Sequence, residues 1–325
     1  MLFRKNVHFI RILLTFIILV NTNLTLVHSA YFTDQEVKQV HQYQKTYFKL
    51  DKRKYSSNYI KDKSNLAKYR KNSLTSINYY RSLFNLPNIT FIKKDNNEAL
   101  QAANILASIK ANPHQELHGL NSIIKPDDIS EDKWNLAKNI TDSSNLDFNI
   151  GKTSSFKTVN NFLSDKYNLT GHDTGHRAWL LNPFFKISGF GISSNKYNYS
   201  VLKVIHSNDI QSSNQIISVP YPAENLFPIE EATGNNNYWS LYIFGKTYNN
   251  SPKIKITDLD SGIKTAGKNI RNYSKYNFGH FDTIITYSKG KTKLIPGHEY
   301  EINIGNIYSY KFKLFNEKTK PLVKN

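Results

Sequence analysis

Gly175-His176-Arg177-Ala178-Trp179-Leu180-Leu181-Asn182-Pro183, running into Lys186-Ile187-Ser188-Gly189-Phe190-Gly191-Ile192, is the stretch on which the fold turns. From Phe184 the hydrophobic pattern changes from helical spacing to strand spacing. Lys186–Ile192 and Tyr199–Ile205 read as two strands joined by the turn Ser193-Ser194-Asn195-Lys196. Upstream the pattern is helical. Phe156, Val159, Phe162 and Leu163 share one helix face, and Ala99, Ala102, Ala103, Leu106 and Ile109 share another. That second helix starts at a capping box, Asp95-Asn96-Asn97-Glu98, and stops at Asn112-Pro113; its small alanines predict close packing inside the fold. A helix over Ser73–Phe84 places Ile77, Tyr80 and Phe84 together and ends before Leu86-Pro87. Thr33-Asp34-Gln35-Glu36 is a further capping box, opening an amphipathic helix through Val37, Val40 and Tyr43. Between these two helices, Lys49–Lys71 is dense in Lys, Ser and Asn and reads as a solvated arm.

Downstream of the two strands, Val219–Phe227 and Pro228 hold three prolines, which stiffen the chain and mark a linker. Only strand patterns follow: Tyr238–Phe244, Lys253–Thr257, Asp282–Tyr287, Glu299–Ile304 and Tyr308–Phe315. Short strands separated by turn residues predict a small β-sandwich. The expected fold class is therefore α+β, a mixed unit followed by an all-β one, and a length of 325 residues accommodates both.

Composition sets the environment. The chain has 43 Lys+Arg against 25 Asp+Glu, a formal charge of +18, and 13% aromatic residues, which excludes a disordered or collagen-like chain. Cysteine is absent, so disulfide frameworks, thiolate zinc sites, cysteine nucleophiles and lipoprotein attachment are excluded together. Residues 1–30 carry a basic start, the apolar run Ile12–Val20 and small residues at Val27-His28-Ser29-Ala30, the three parts of a secretory signal peptide. Removing that segment, with Arg4, Lys5 and Arg11, leaves +15. Export without disulfides in a Lys/Asn/Ile-rich chain points to a Gram-positive secreted protein retained at the cell envelope. Such a charge favours anionic partners: wall polymers, acidic lipids or host surface proteins. Nucleic acid is not expected, since no binding motif accompanies the charge, and no membrane span follows the signal.

Leu117-His118, Ser143-Ser144-Asn145-Leu146, Phe162-Leu163-Ser164-Asp165 and the Gly-His-Arg-x-Trp segment at Gly175 occur in an order that resembles the CAP superfamily, which includes cysteine-rich secretory proteins, antigen 5 and plant pathogenesis-related proteins. The likeness is to its bacterial, cysteine-free branch. Ile77-Asn78-Tyr79-Tyr80-Arg81 with Leu86-Pro87 is similar to the family's opening helix and Leu-Pro turn, and the resemblance spans Ser73–Ser207. It implies an α-β-α sandwich over 73–218, flanked by a helix and lysine-rich arm at 31–72, a linker at 219–234 and a β-strand domain at 235–325. It also implies a cleft lined by two histidines and two acids. His118 and His176 match the histidines, with His114 a rival for the first position. The acids depart from the family pattern: Ser144 stands in a Ser-Asn-Leu where Glu-Asn-Leu is usual, and Asp165 is the nearest second carboxylate. Two imidazoles with a carboxylate suit a divalent metal such as zinc.

Without the resemblance, His172 and His176 are four apart, a spacing metals use on a helix, but Gly171 and Gly175 favour a loop there. No serine lies in Gly-x-Ser-x-Gly and no triad is identifiable. Arg177 and Trp179 read as anchors of the strand entry, the arginine in an ion pair and the tryptophan in the core. Two functions follow as expectations: an envelope binding or host-interaction protein, and alternatively a metal-dependent hydrolase using His118, His176 and Asp165.

Overall fold

The structure is a computed structural model that describes residues 32–113, 118–169, 171–206 and 215–320. The expected signal peptide and His114 lie outside the described residues. The first helix, α1 (Asp34–Lys49), opens on the capping box read from the sequence. Thr33 Oγ1 accepts from the Glu36 N–H (3.2 Å) and Glu36 Oε2 accepts from the Thr33 N–H (2.7 Å). The lysine-rich stretch after it departs from expectation. It forms α2 (Ser57–Lys61) and the first half of α3 (Lys63–Leu83), capped by Asp62, which accepts from the Ser64 and Asn65 N–H groups. The physical reason is spacing: Leu66, Tyr69, Ser73, Ile77 and Tyr80 recur every three or four residues and are buried, while the lysines take the solvent face.

Four strands make the first sheet. They are β1 (Thr90–Phe91), β2 (Ser144–Asn149), β3 (Ile187–Ser194) and β4 (Asn198–Lys203), in the order β1-β3-β4-β2. β1 runs parallel to β3, and the other pairs are antiparallel. Helices cover both faces. On one side lie α4 (Lys93–Ser108) and α5 (Glu131–Asp142), whose Ala99, Ala103, Leu106 and Ala137 pack on Tyr199 and Val201. On the other lie α3, α6 (Ser155–Ser164) and α7 (Gly175–Leu180), with Tyr69, Ile77, Val159 and Phe162 in one cluster with Phe190, Ile192 and Leu202. The period of two sorts β3 and β4 cleanly between these layers. Gly189 and Gly191 explain how closely α4 approaches: a Cβ on either would lie 2.1–2.2 Å from the backbone of Asp95 or Ala99. The box at Asp95–Glu98 does not cap α4, which begins two residues earlier behind Ile92. Asp95 and Glu98 instead both accept from Lys203 Nζ (2.9 and 2.8 Å).

The remaining chain supplies β5 (Ile217–Tyr221), β6 (Asn225–Pro228), α8 (Ile229–Ala232), β7 (Trp239–Phe244), β8 (Ile254–Asp258), β9 (Lys264–Ala266), β10 (Lys268–Asn272), β11 (Thr283–Ser288), β12 (Glu299–Ile304) and β13 (Tyr308–Phe315). They form two sheets, β10-β11-β7-β5 and β6-β13-β12-β8-β9. Trp239 of the first sheet stands edge-on to Phe312 of the second, ring centroids 5.6 Å apart, as expected for a core tryptophan. β12 alternates inward Tyr300, Ile302 and Ile304 with outward residues. The proline-containing stretch is strand rather than linker. β5 and β6 are both edge strands, where a missing N–H costs no ladder bond, so Pro220 and Pro228 are accommodated. The whole is α+β, 34% helix and 27% strand.

Candidate functional site

A cleft of about 930 Å³ runs along β2. All of Ser144–Asn149 line it, which places the strand's outer edge on the cleft wall. The rest of its lining draws on two further sources: Tyr167 and Leu169 of the loop after α6, and Tyr273, Tyr276 and Phe278 of the β-sheet unit. Tyr276 and Phe278 are stacked, with planes 4° apart and centroids 5.4 Å apart. The size is that of a site for a substantial organic ligand.

His176 and Asp165 meet in this cleft. Asp165 ends α6 in a left-handed conformation (φ +53°), which turns its side chain towards the first turn of α7. Its Oδ1 lies 2.8 Å from His176 Nδ1, and its Oδ2 accepts from the Arg177 N–H (3.2 Å). With Nδ1 donating to the carboxylate, Nε2 is the imidazole nitrogen left for the cleft, the arrangement that readies a histidine as base or metal ligand. Burial opposes protonation of His176, but the charge and hydrogen bond of Asp165, joined by Asp173 and Asp147, outweigh it and raise the pKa above its ordinary value. The backbone around it is also tied: Asn145 Nδ2 donates to His176 O (2.9 Å), and Asp173 Oδ1 accepts from the Gly175 N–H (2.9 Å).

Asp165 thus orients His176 instead of facing the cleft as a ligand. His118 lines the same cleft beside Gly119; burial of its ring and the positive charge of His176 lower its pKa, with Asp142 opposing. Ser144 is tied to α5, donating to Ile140 O (2.6 Å). The carboxylate facing the α6 side is Asp147, which sequence reading missed. It accepts from Asn161 Nδ2 (2.9 Å), and burial lifts its pKa to about 6. The signal was present: once Ser144–Leu146 is read as strand, Asn145 and Asp147 share a face by the period of two. The helix α5 preceding it was missed too, although Trp134, Ala137 and Ile140 recur every three residues and are buried.

His172 and His176 do not share a helix face. α7 begins at Gly175, behind Thr174 with φ +56°, and His172 stacks on Tyr238 with centroids 3.9 Å apart. Arg177 is fully buried, but its guanidinium is held by acceptors other than carboxylates. It donates to Leu163 O (2.5 Å), Ser164 O (2.6 Å) and Tyr238 O (2.7 Å), and lies over the Tyr221 ring. Trp179 is half-buried, packing against the core on one side and lining the cleft. His118 and His176 Nε2 are therefore the groups that could hold a divalent metal, with Asp165 as the outer partner of His176. In the β-sheet unit Asp258, Asp260 and His298 also converge within 4.8 Å, but Asp258 pairs with His298 (2.9 Å) and Asp260 Oδ2 accepts from the Glu299 N–H, so the group serves its own turn.

Among the described residues no helix is long and apolar enough to cross a membrane. No family model matches the chain, and no curated protein matches it either.

Proposed function

We propose that the chain is a secreted binding protein of a Gram-positive cell envelope, with a CAP-like α-β-α unit whose cleft holds the ligand. The observation that carries the reading is the composite cleft: aromatic side chains contributed by the β-sheet unit line it together with the polar His176 and Asp147. The CAP-like part is supported by where its motifs fall. Arg81 of α3 donates to Pro87 O of the Leu-Pro turn (2.8 Å), His118 and His176 line one cleft, and Gly189 and Gly191 lie under α4. The charge of +15 after residues 1–30 adds attraction to anionic wall polymers, lipids or acidic host proteins.

The test is retention of the protein from Tyr31 on cell walls, teichoic-acid-stripped walls and phosphatidylglycerol vesicles, compared with a Tyr276→Ala/Phe278→Ala variant. A cleft-mediated association loses about tenfold or more in the variant. Equal retention of the two proteins on every surface, abolished by salt, would reduce the interaction to net charge and sink the reading.

A second reading, metal-assisted hydrolysis, is favoured by the carboxylate behind His176. Here the chain's own residues would hold the metal through His118 and His176 Nε2, and the metal would supply Lewis acidity and an activated water. Zinc titration by calorimetry decides it: binding by the parent and none by His118→Ala/His176→Ala supports it, and no binding by either rejects it.

A further inference from the structure

β2 is the outer strand of its sheet, and the ladder fixes which of its backbone groups are used. Ser144 pairs with Lys203 and Asn149 with Asn198. The Val204 N–H donates to Ser143 O (3.1 Å), so odd-numbered residues exchange bonds with β4. The β3–β4 hairpin agrees, because the Asn195 N–H donates to Tyr197 O (2.9 Å) and so commits the odd residues of β4 to β3. Ser144, Leu146 and Phe148 are left with N–H and C=O turned outward along the cleft. Among the described residues no hydrogen bond reaches these groups.

A strand edge open over six residues is a template that proteins normally blunt with proline, a bulge or a covering segment. β2 has no proline, and its pairing with β4 is continuous. The edge faces a cavity instead. Its repeating donor–acceptor pattern matches another extended main chain. The faces on either side specify what that chain carries. Leu146 and Phe148 pack towards Tyr197 and Tyr199 on one side. On the other side Asp147 is held by Asn161, with His176 and Lys157 nearby, and at the end of α5 Asp142 is held by Asn121 (2.7 Å). Asp173 adds a third carboxylate to the lining, against Lys157 as its lysine, in a chain that is otherwise strongly basic. The period of two continues through an added strand, so its apolar residues meet Leu146 and Phe148 and its cations meet Asp147.

We infer that the β2 edge receives an extended peptide segment of a partner protein, with basic and apolar residues alternating, as an added strand of this sheet. The inference rests on the reading of the cleft as a ligand-binding site. Exposed Ile150, Tyr167 and Tyr276 at the rim, 78, 65 and 51% accessible, would cover the segment.

The probe is a fluorescein-labelled octapeptide of alternating Lys and Val, measured by anisotropy against the full mature chain. Two N-methylated versions carry methyl groups on the Lys amides or on the Val amides. Because successive amides point to opposite edges of a strand, one version is expected to lose binding by about tenfold or more and the other to stay within about threefold. On the protein side, Leu146→Pro removes one outward N–H, which an edge position tolerates, and is expected to lose about tenfold, whereas Leu146→Ala keeps the N–H, gives up only the side-chain contact and is expected to lose no more than about threefold. Thermal melting reports whether each variant is folded, and the Leu146 and Phe148 amides of the parent gain hydrogen-exchange protection when the peptide is added. Equal loss from both N-methylated peptides, or binding without protection of those amides, overturns strand addition. If the peptide fails to bind while teichoic-acid walls are retained through Tyr276 and Phe278, strand addition is overturned and the cleft survives as a polymer site; if neither binds, both readings fail.

Discussion

The Asp165–His176 pair at the cleft and the seam between the helical layer and the β-sheet unit both bury carboxyl groups, and they settle their charge in opposite ways. In the seam, Glu231 accepts from Tyr80 Oη (3.1 Å) and Asn160 Nδ2, and Glu317 accepts from Tyr79 Oη (2.5 Å). Burial lifts the Glu231 pKa to about 7. Burial, with the charge of Glu231, lifts that of Glu317 to about 8. In the cleft, Asp165 is equally enclosed, its side chain 1% accessible, yet it faces an imidazole and a main-chain N–H. There it is the histidine whose pKa rises. Burial among neutral donors raises the pKa of a carboxyl group itself, whereas a carboxylate beside an imidazole raises the imidazole's.

The largest effect tests the joint beneath both regions. Arg177 links α6, α7 and β7 through main-chain oxygens, so Arg177→Met leaves several buried acceptors without donors and is expected to cost about 3 kcal/mol or more in denaturant unfolding. A cost below about 1 kcal/mol would show that the two units do not depend on it.

The seam comes next. A folded-state pKa raised above the unfolded value contributes stability that is complete below the unfolded pKa and is lost as pH rises through the folded one. For Glu231 and Glu317 the loss therefore runs from about pH 4.5 to about pH 8. Glu317→Gln keeps an acceptor for Tyr79 and is expected to flatten this fall, leaving the variant roughly 1–3 kcal/mol more stable relative to the parent at pH 8 than at pH 5. Parallel stability curves for the two proteins would remove the distinction between seam and cleft.

Within the cleft, Asp165→Asn is expected to lower the His176 pKa below its value in the parent, read by imidazole NMR titration. The sign in stability follows. His176 stabilises while protonated, so the variant loses more below pH 6.5 than above the parent's folded pKa, by about 1 kcal/mol. The smallest effect belongs to Tyr276→Ala on the rim. It is expected to change unfolding by no more than about 0.5 kcal/mol, because the ring is half exposed, while weakening ligand retention. A variant that melts early instead would make the aromatic wall a piece of core.

Several parts of this arrangement were legible beforehand for local reasons. The capping box at Thr33, the alanines of α4, the Gly-x-Gly of β3 and the short apolar strand patterns of β7, β8, β11, β12 and β13 each declare a conformation through near neighbours. Other local signals misled. Asp95–Glu98 has the form of a cap and serves as a lysine clamp, and the prolines near Val219 mark edge strands. In both cases a partner more than ten residues away decides the role.

Residue identity and spacing by themselves determined a basic chain without cysteine, with helices before strands. Tertiary structure alone decided that Ser144 turns towards α5 while Asp147 faces α6, and that Asp165 serves His176. It also decided that tyrosines from the β-sheet unit join the cleft lining, and that β2 keeps an open edge. The reason is physical: a side chain's direction follows from its strand's register, and its charge from what else is buried beside it. Neither quantity is a property of the residue or of its neighbours along the chain.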